Sequence, residues 1–129
     1  MGGSSLGIVL RRLREERRLS LREVAQLAQV DHAYIHRLET GEKEAPSEEV
    51  VGRLIKVLKP EDRVAKILYF LATSPEIDRG LVEETISNSS FALEDLEVAG
   101  QMRFRGKARP SARDLLERVK KLRAEIARG

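Results

Sequence analysis

The stretch SLREVAQLAQVDHAYIHRLETG, residues 20–41, reads as two short helices joined by a tight turn. Ser20 and Glu23 have the spacing of a capping box, in which each side chain takes the other residue's backbone N–H, so a helix is predicted to start at Leu21. Val24, Ala25 and Ala28 give it a small-residue inner face. Gln29, Val30 and Asp31 form the turn. The Asp31 carboxylate can accept from the free amides of a second helix, His32 to about Thr40. Ile35 and Leu38 point inward from it, which leaves His32, Ala33, His36 and Arg37 outside. Gly41 closes that helix, because glycine is free to adopt positive φ.

Outward from this pair the chain stays helical. Leu6, Val9, Leu10 and Leu13 recur at helical spacing and predict a first helix over Leu6 to Arg17. Residues 1–5, MGGSS, are set aside as a flexible leader. After Gly41, Pro46-Ser47 opens a fourth helix from Glu48 to Leu58, with Val50, Val51, Leu54, Ile55 and Leu58 on its apolar face. Pro60 precedes a fifth, Glu61 to Ala72, built on Val64, Ile67, Leu68 and Leu71. Ser74-Pro75 repeats that signal and predicts a sixth helix from Glu76 to Ile86. Ser90 predicts a seventh over Phe91 to Met102, with Phe91, Leu93, Leu96 and Val98 apolar. A basic loop, Arg103 to Pro110, leads to Ser111 and a last helix ending at about Ala127. That helix carries a narrow stripe of Leu115, Leu116, Val119, Leu122 and Ile126. No strand is needed, and the expected class is all-α.

From Leu6 to about Leu58 the chain resembles the Cro/C1-type (XRE-family) helix-turn-helix of bacterial and phage repressors. The residues that carry the resemblance are Val24-Ala25, Val30, Ile35, the run Arg37-Leu38-Glu39-Thr40-Gly41, and Ala45-Pro46-Ser47. It implies a lambda-repressor-like helix-turn-helix domain over residues 6–72 and a helical C-terminal extension, 73–129, for dimerisation or partner binding. The implied function is sequence-specific binding of double-stranded DNA by a transcriptional regulator, a repressor that acts on its operator as a homodimer. It also implies an ion pair between Arg14 and Glu39. Position by position, His32, Ala33 and Arg37 match residues that touch base edges, and Tyr34 matches one at the groove wall. A guanidinium can pair bidentately with O6 and N7 of guanine, which suits Arg37, and a methyl such as that of Ala33 can meet a thymine methyl. His36 stands where the family often has serine. Ser20 and the amides of Leu21 and Arg22 match a phosphate contact at a helix N-terminus. Arg22 and Lys43 would add charge, although Glu42 and Glu44 flank Lys43. Gln29 occupies the turn position where the family usually has glycine, and a non-glycine residue in left-handed conformation costs about 1 kcal/mol.

Composition narrows the remaining choices. The 129 residues include no cysteine, so no disulfide framework or thiolate metal site is available. Aromatics are only 4% of residues, so Leu, Val, Ile and Ala must fill the core. No apolar run is long enough to span a bilayer and no secretory core is present, which predicts a cytoplasmic protein. The net charge of +3 is unevenly spread. Residues 1–59 hold 11 Lys/Arg against 9 Asp/Glu, residues 60–101 hold 3 against 9, and residues 102–129 hold 10 against 3, which suggests separate working surfaces. His32 and His36 are four apart on one helix, but the zinc-protease pattern needs Glu after the first His and a third ligand. Neither is present, so no metal and no cofactor is expected. Phosphate-binding glycine loops, nucleophile elbows and Cys-His pairs are missing, and Glu83-Glu84 and Glu94-Asp95 are neighbours that diverge around a helix. No enzymatic activity is expected. For the C-terminal half, one reading is dimerisation through the helices of Glu61 to Ile86. Another comes from Leu93 to Leu122, which resembles the tails of regulators encoded beside toxins or metallopeptidases. That resemblance implies an antitoxin-type autoregulator whose protein partner docks at the basic loop. A third is extra non-specific DNA affinity from the loop and last helix.

Overall fold

The computed structural model of the protein describes residues 4–42, 46–104 and 109–129. Helices are the regular structure among them: α1 Ser5–Glu16, α2 Leu21–Ala28, α3 His32–Thr40, α4 Glu48–Leu58, α5 Asp62–Thr73, α6 Arg79–Ser87, α7 Leu93–Gln101 and α8 Ala112–Arg128. The chain divides into two compact units, Met1–Glu76 and Ile77–Gly129. None of the helices among the described residues is long and apolar enough to cross a membrane.

Side-chain caps account for where most helices begin. Ser47 Oγ accepts from Val50 N–H at 3.2 Å, and Ser111 Oγ from Asp114 N–H at 3.1 Å, as the serine signals predict. Three starts differ from expectation. Ser4 caps α1 through Gly7 N–H at 3.0 Å and Ser5 is buried, so both belong to the fold rather than to a leader. The sixth helix begins at Arg79, not Glu76, because the Asp78 carboxylate takes Leu81 N–H at 3.1 Å. Ser74 instead closes α5. The seventh helix begins at Leu93, after Phe91 has turned into the core. Ser90 is held in a turn by Asn88 Oδ1, which accepts its N–H at 3.0 Å and its hydroxyl at 2.7 Å.

In the first unit, α2 packs on α3 and α4, α1 packs on α3 and α5, and α4 on α5. Its core is aliphatic: Leu6, Val9 and Leu10 from α1, Val24 and Ala28 from α2, Ile35 and Leu38 from α3, Val51, Leu54 and Leu58 from α4, and Ile67, Leu68 and Leu71 from α5. Burying such side chains contributes about 1.5–3 kcal/mol each relative to leaving them in water. Helix ends in this unit are tightly finished. Gly41 closes α3 at φ 85°, and Arg17 Nε donates to the Leu58 carbonyl at the end of α4 at 2.5 Å. Arg18, Gln29 and Lys59 take left-handed backbone at φ 56°, 60° and 47°, just after α1, α2 and α4.

The second unit packs α8 against α6 and α7 around Leu81, Val82, Phe91, Leu96, Leu115, Leu116 and Val119. Asp95 is buried and fully used. Its Oδ2 accepts Ala92 N–H at 2.8 Å and its Oδ1 accepts Arg123 Nη1 at 2.6 Å. The Lys120 ammonium lies 5.9 Å from the Phe91 ring centroid, within cation–π range.

Candidate nucleic-acid interface

Ser20 Oγ accepts Glu23 N–H at 3.0 Å, and Glu23 Oε1 accepts Ser20 N–H at 2.8 Å, which completes the capping box. Accepting that N–H holds the Glu23 carboxyl below its ordinary range, with the Ser20 hydroxyl contact adding to the effect. The first intrahelical bond of α2 is Val24 N–H to Ser20 O at 3.1 Å, so the amides of Leu21 and Arg22 precede the helix's own bonding. Gln29 then reverses the chain in left-handed conformation, with no glycine. Val30 N–H returns to Ala25 O at 2.9 Å and fixes the turn. Asp31 stands at the N-terminus of α3, its Oδ1 accepting Ala33 N–H at a long 3.4 Å, while its carbonyl accepts Tyr34 N–H at 3.0 Å.

One side of α3 is buried through Ile35, Leu38 and Glu39. His32, His36, Arg37 and Thr40 are exposed, and Ala33 and Tyr34 are half-buried. At 100° per residue, Ala33, His36, Arg37 and Thr40 share the face opposite the buried one, while His32 lies at its edge on the Glu39 side and Tyr34 at the other edge. Burial raises the Tyr34 phenol above its ordinary value, against the opposing pull of the nearby Arg37 charge.

The buried side of α3 is clamped. Arg14 Nε donates to Glu39 Oε2 at 2.7 Å and Nη2 to Oε1 at 3.0 Å, a fork-to-fork pair. Arg14 Nη1 donates to the Leu19 carbonyl at 2.9 Å, tying the α1–α2 connection into the same knot. The two side chains are 14% and 6% exposed, so little solvent screens them. Donating to the Glu39 carboxylate raises the Arg14 pKa further, despite partial burial. A second close approach lies at Gly7. A Cβ there would stand 2.3 Å from the Leu38 carbonyl oxygen and 2.7 Å from that of Glu39, so α1 can cross α3 at this distance only without a side chain.

Residues 5–66 match the family described as helix-turn-helix domain. This segment is a helix-turn-helix domain. A domain of this kind is a DNA-binding unit. Among solved structures, the chain is similar to the clp gene regulator ClgR from Corynebacterium glutamicum in two crystal structures. One matches at 28% identity over 56% of this chain and 88% of that one, with a TM-score of 0.45. The other matches at 24% identity over 67% and 81%, with a TM-score of 0.47. No curated protein sequence matches the chain.

The helix-turn-helix domain holds seven of the eight residues singled out from sequence on α2, α3 and the cap before α2: Ser20, Arg22, His32, Ala33, Tyr34, His36 and Arg37. Lys43, like Glu44 and Ala45, lies outside the described residues, and so does part of the basic loop, 105–108. The implied Arg14–Glu39 pair is present. Sequence reading missed Gly7, whose place in an apolar helix gives no hint of a facing carbonyl. It missed the role of Arg17 as well, because a guanidinium's helix-capping partner 41 residues away leaves no periodic trace. Acidic groups share the neighbourhood of the reading face: Glu23 beside Ser20, Asp31 with its Oδ1 3.7 Å from His32 Nδ1, and Glu42 past Gly41. Among the described residues no cluster of three or more His, Cys, Asp or Glu could hold a metal ion.

Proposed function

We propose that this chain is a cytoplasmic, non-enzymatic repressor that binds operator DNA as a homodimer and occludes a promoter. Each protomer lays α3 in the major groove of one half-site, the two half-sites standing about one helical turn apart. Arg37 reads a guanine, Ala33 and His32 meet neighbouring base edges, Tyr34 and His36 line the groove, and Ser20 with Arg22 grips a phosphate. The observation that carries this reading is α3 itself. Ala33, His36 and Arg37 share one outward face with exposed His32 at its flank, while the other side is fixed by Ile35, Leu38 and the Arg14–Glu39 fork.

Arg37→Ala tests it. Wild-type protein selects a preferred duplex from a random pool, and anisotropy titrations then compare both proteins on every single-base variant. The substitution is expected to cost about 1–3 kcal/mol on the preferred site and to relax preference at one base pair, with non-specific binding nearly unchanged. An identical base preference in the variant overturns the assignment.

A further inference from the structure

Helix α8 is longer than the core it helps to build. Its 17 residues extend about 25 Å. Leu115, Val119, Leu122 and Ile126 alternate spacings of four and three and so form one stripe. Leu115 and Val119 are buried, whereas Leu122 is 45% and Ile126 78% exposed. On α7, Val98 is 40% exposed although its sequence neighbours Leu96 and Ala99 are buried. Isolated exposed aliphatic residues are ordinary on protein surfaces. Here the exposed pair continues a core stripe without interruption, and its charged surroundings are specific. Arg118 and Lys121 are exposed along one edge of the α8 stripe, which they share with exposed Asp114 and Glu125, while Glu94, exposed, and Glu97, half-buried, accompany Val98 on α7.

A second α8 would present the same mixed edge of Asp114, Arg118, Lys121 and Glu125 to α8. Laying α8 on the outer face of a second α7 sets Arg118 and Lys121 against Glu94 and Glu97, with Leu122 and Ile126 over Val98. In a two-fold dimer that pairing occurs twice, because residue i meeting j on the partner requires j to meet i. We propose that a second copy of this chain is the occupant: the exposed C-terminal half of α8 in each protomer docks on the outer face of α7 in the other. The proposal deepens the homodimer reading above and rests on it.

Charge exchange in the full chain tests the geometry. One variant carries Glu94→Lys and Glu97→Lys, the other Arg118→Glu and Lys121→Glu. Each alone repels itself at both interfaces, so sedimentation is expected to show its dimer weakened at least about tenfold. Mixed in equal amounts, they are expected to form a heterodimer, since every charge pairing is then complementary. Leu122→Ser with Ile126→Ser is expected to give a monomer of unchanged helical content. A monomeric wild-type chain overturns the homodimer and this interface together. A dimeric wild type whose variants stay dimeric alone, or whose mixture stays monomeric, overturns this interface and leaves the homodimer standing. Binding of each variant to a single half-site needs only one protomer and reports on DNA recognition separately.

Discussion

Glu39 belongs to the helix that faces DNA in the proposed function, where a free carboxylate would repel phosphates. It is turned inward and held by Arg14 at 2.7 and 3.0 Å. Removing it would leave a guanidinium largely out of water with one carbonyl for company. Glu39→Ala is therefore expected to destabilise the domain by about 3 kcal/mol, read from urea unfolding. Nothing in the spacing of residues 14 and 39 announces this pair; it was legible only through the resemblance. Glu23 offers a different test. Its folded carboxyl titrates below the ordinary range because it accepts the Ser20 N–H. Its stabilising contribution is thus present above the ordinary glutamate range and is lost as pH falls through the lowered value. Glu23→Gln is expected to flatten the acid limb of a stability-against-pH curve and to leave its alkaline side unchanged.

Helices were the part of this chain that its sequence expressed best, and the reason is local. A serine that caps its third residue onward, or an aliphatic stripe at helical spacing, acts within one or two turns. Errors arose where two local signals competed. Asp78 won over Ser74-Pro75 as the start of α6, and Asn88 held Ser90 away from α7. The crossing of α1 and α3 lies beyond such signals, since it depends on what Gly7 meets across 31 residues of chain. Gly7→Ala must push the helices apart or bend one of them. It is expected to cost about 1–3 kcal/mol in thermal or urea unfolding, in the range of overpacked cores. The turn between α2 and α3 predicts the opposite sign. Gln29 already sits at φ 60°, so Gln29→Gly relieves strain at some cost in unfolded-chain entropy. A net gain of at most about 0.5 kcal/mol is expected from the same measurement.

At the scale of the molecule, charge is divided more sharply than function is. The helix-turn-helix domain is nearly neutral, and its proposed reading face mixes Arg22 and Arg37 with Glu23, Asp31 and Glu42. The excess of cations lies in residues 102–129, part of the second compact unit. A fragment ending at Glu76 is expected to fold cooperatively and to keep half-site preference. Its affinity is expected to fall less steeply with salt than that of the whole chain if the tail touches phosphates, because each phosphate that the tail neutralises adds about 0.9 to the steepness of log K against log salt. Equal slopes would place the basic tail away from DNA. The left-handed residues Arg18, Gln29 and Lys59 bear on how such a protein can change. At separate junctions their strains are nearly additive, and glycine at each could relieve them without disturbing the reading face. The fold therefore holds three places where a stabilising substitution can offset a damaging one elsewhere, so that the exposed face of α3 can change while the scaffold stays folded.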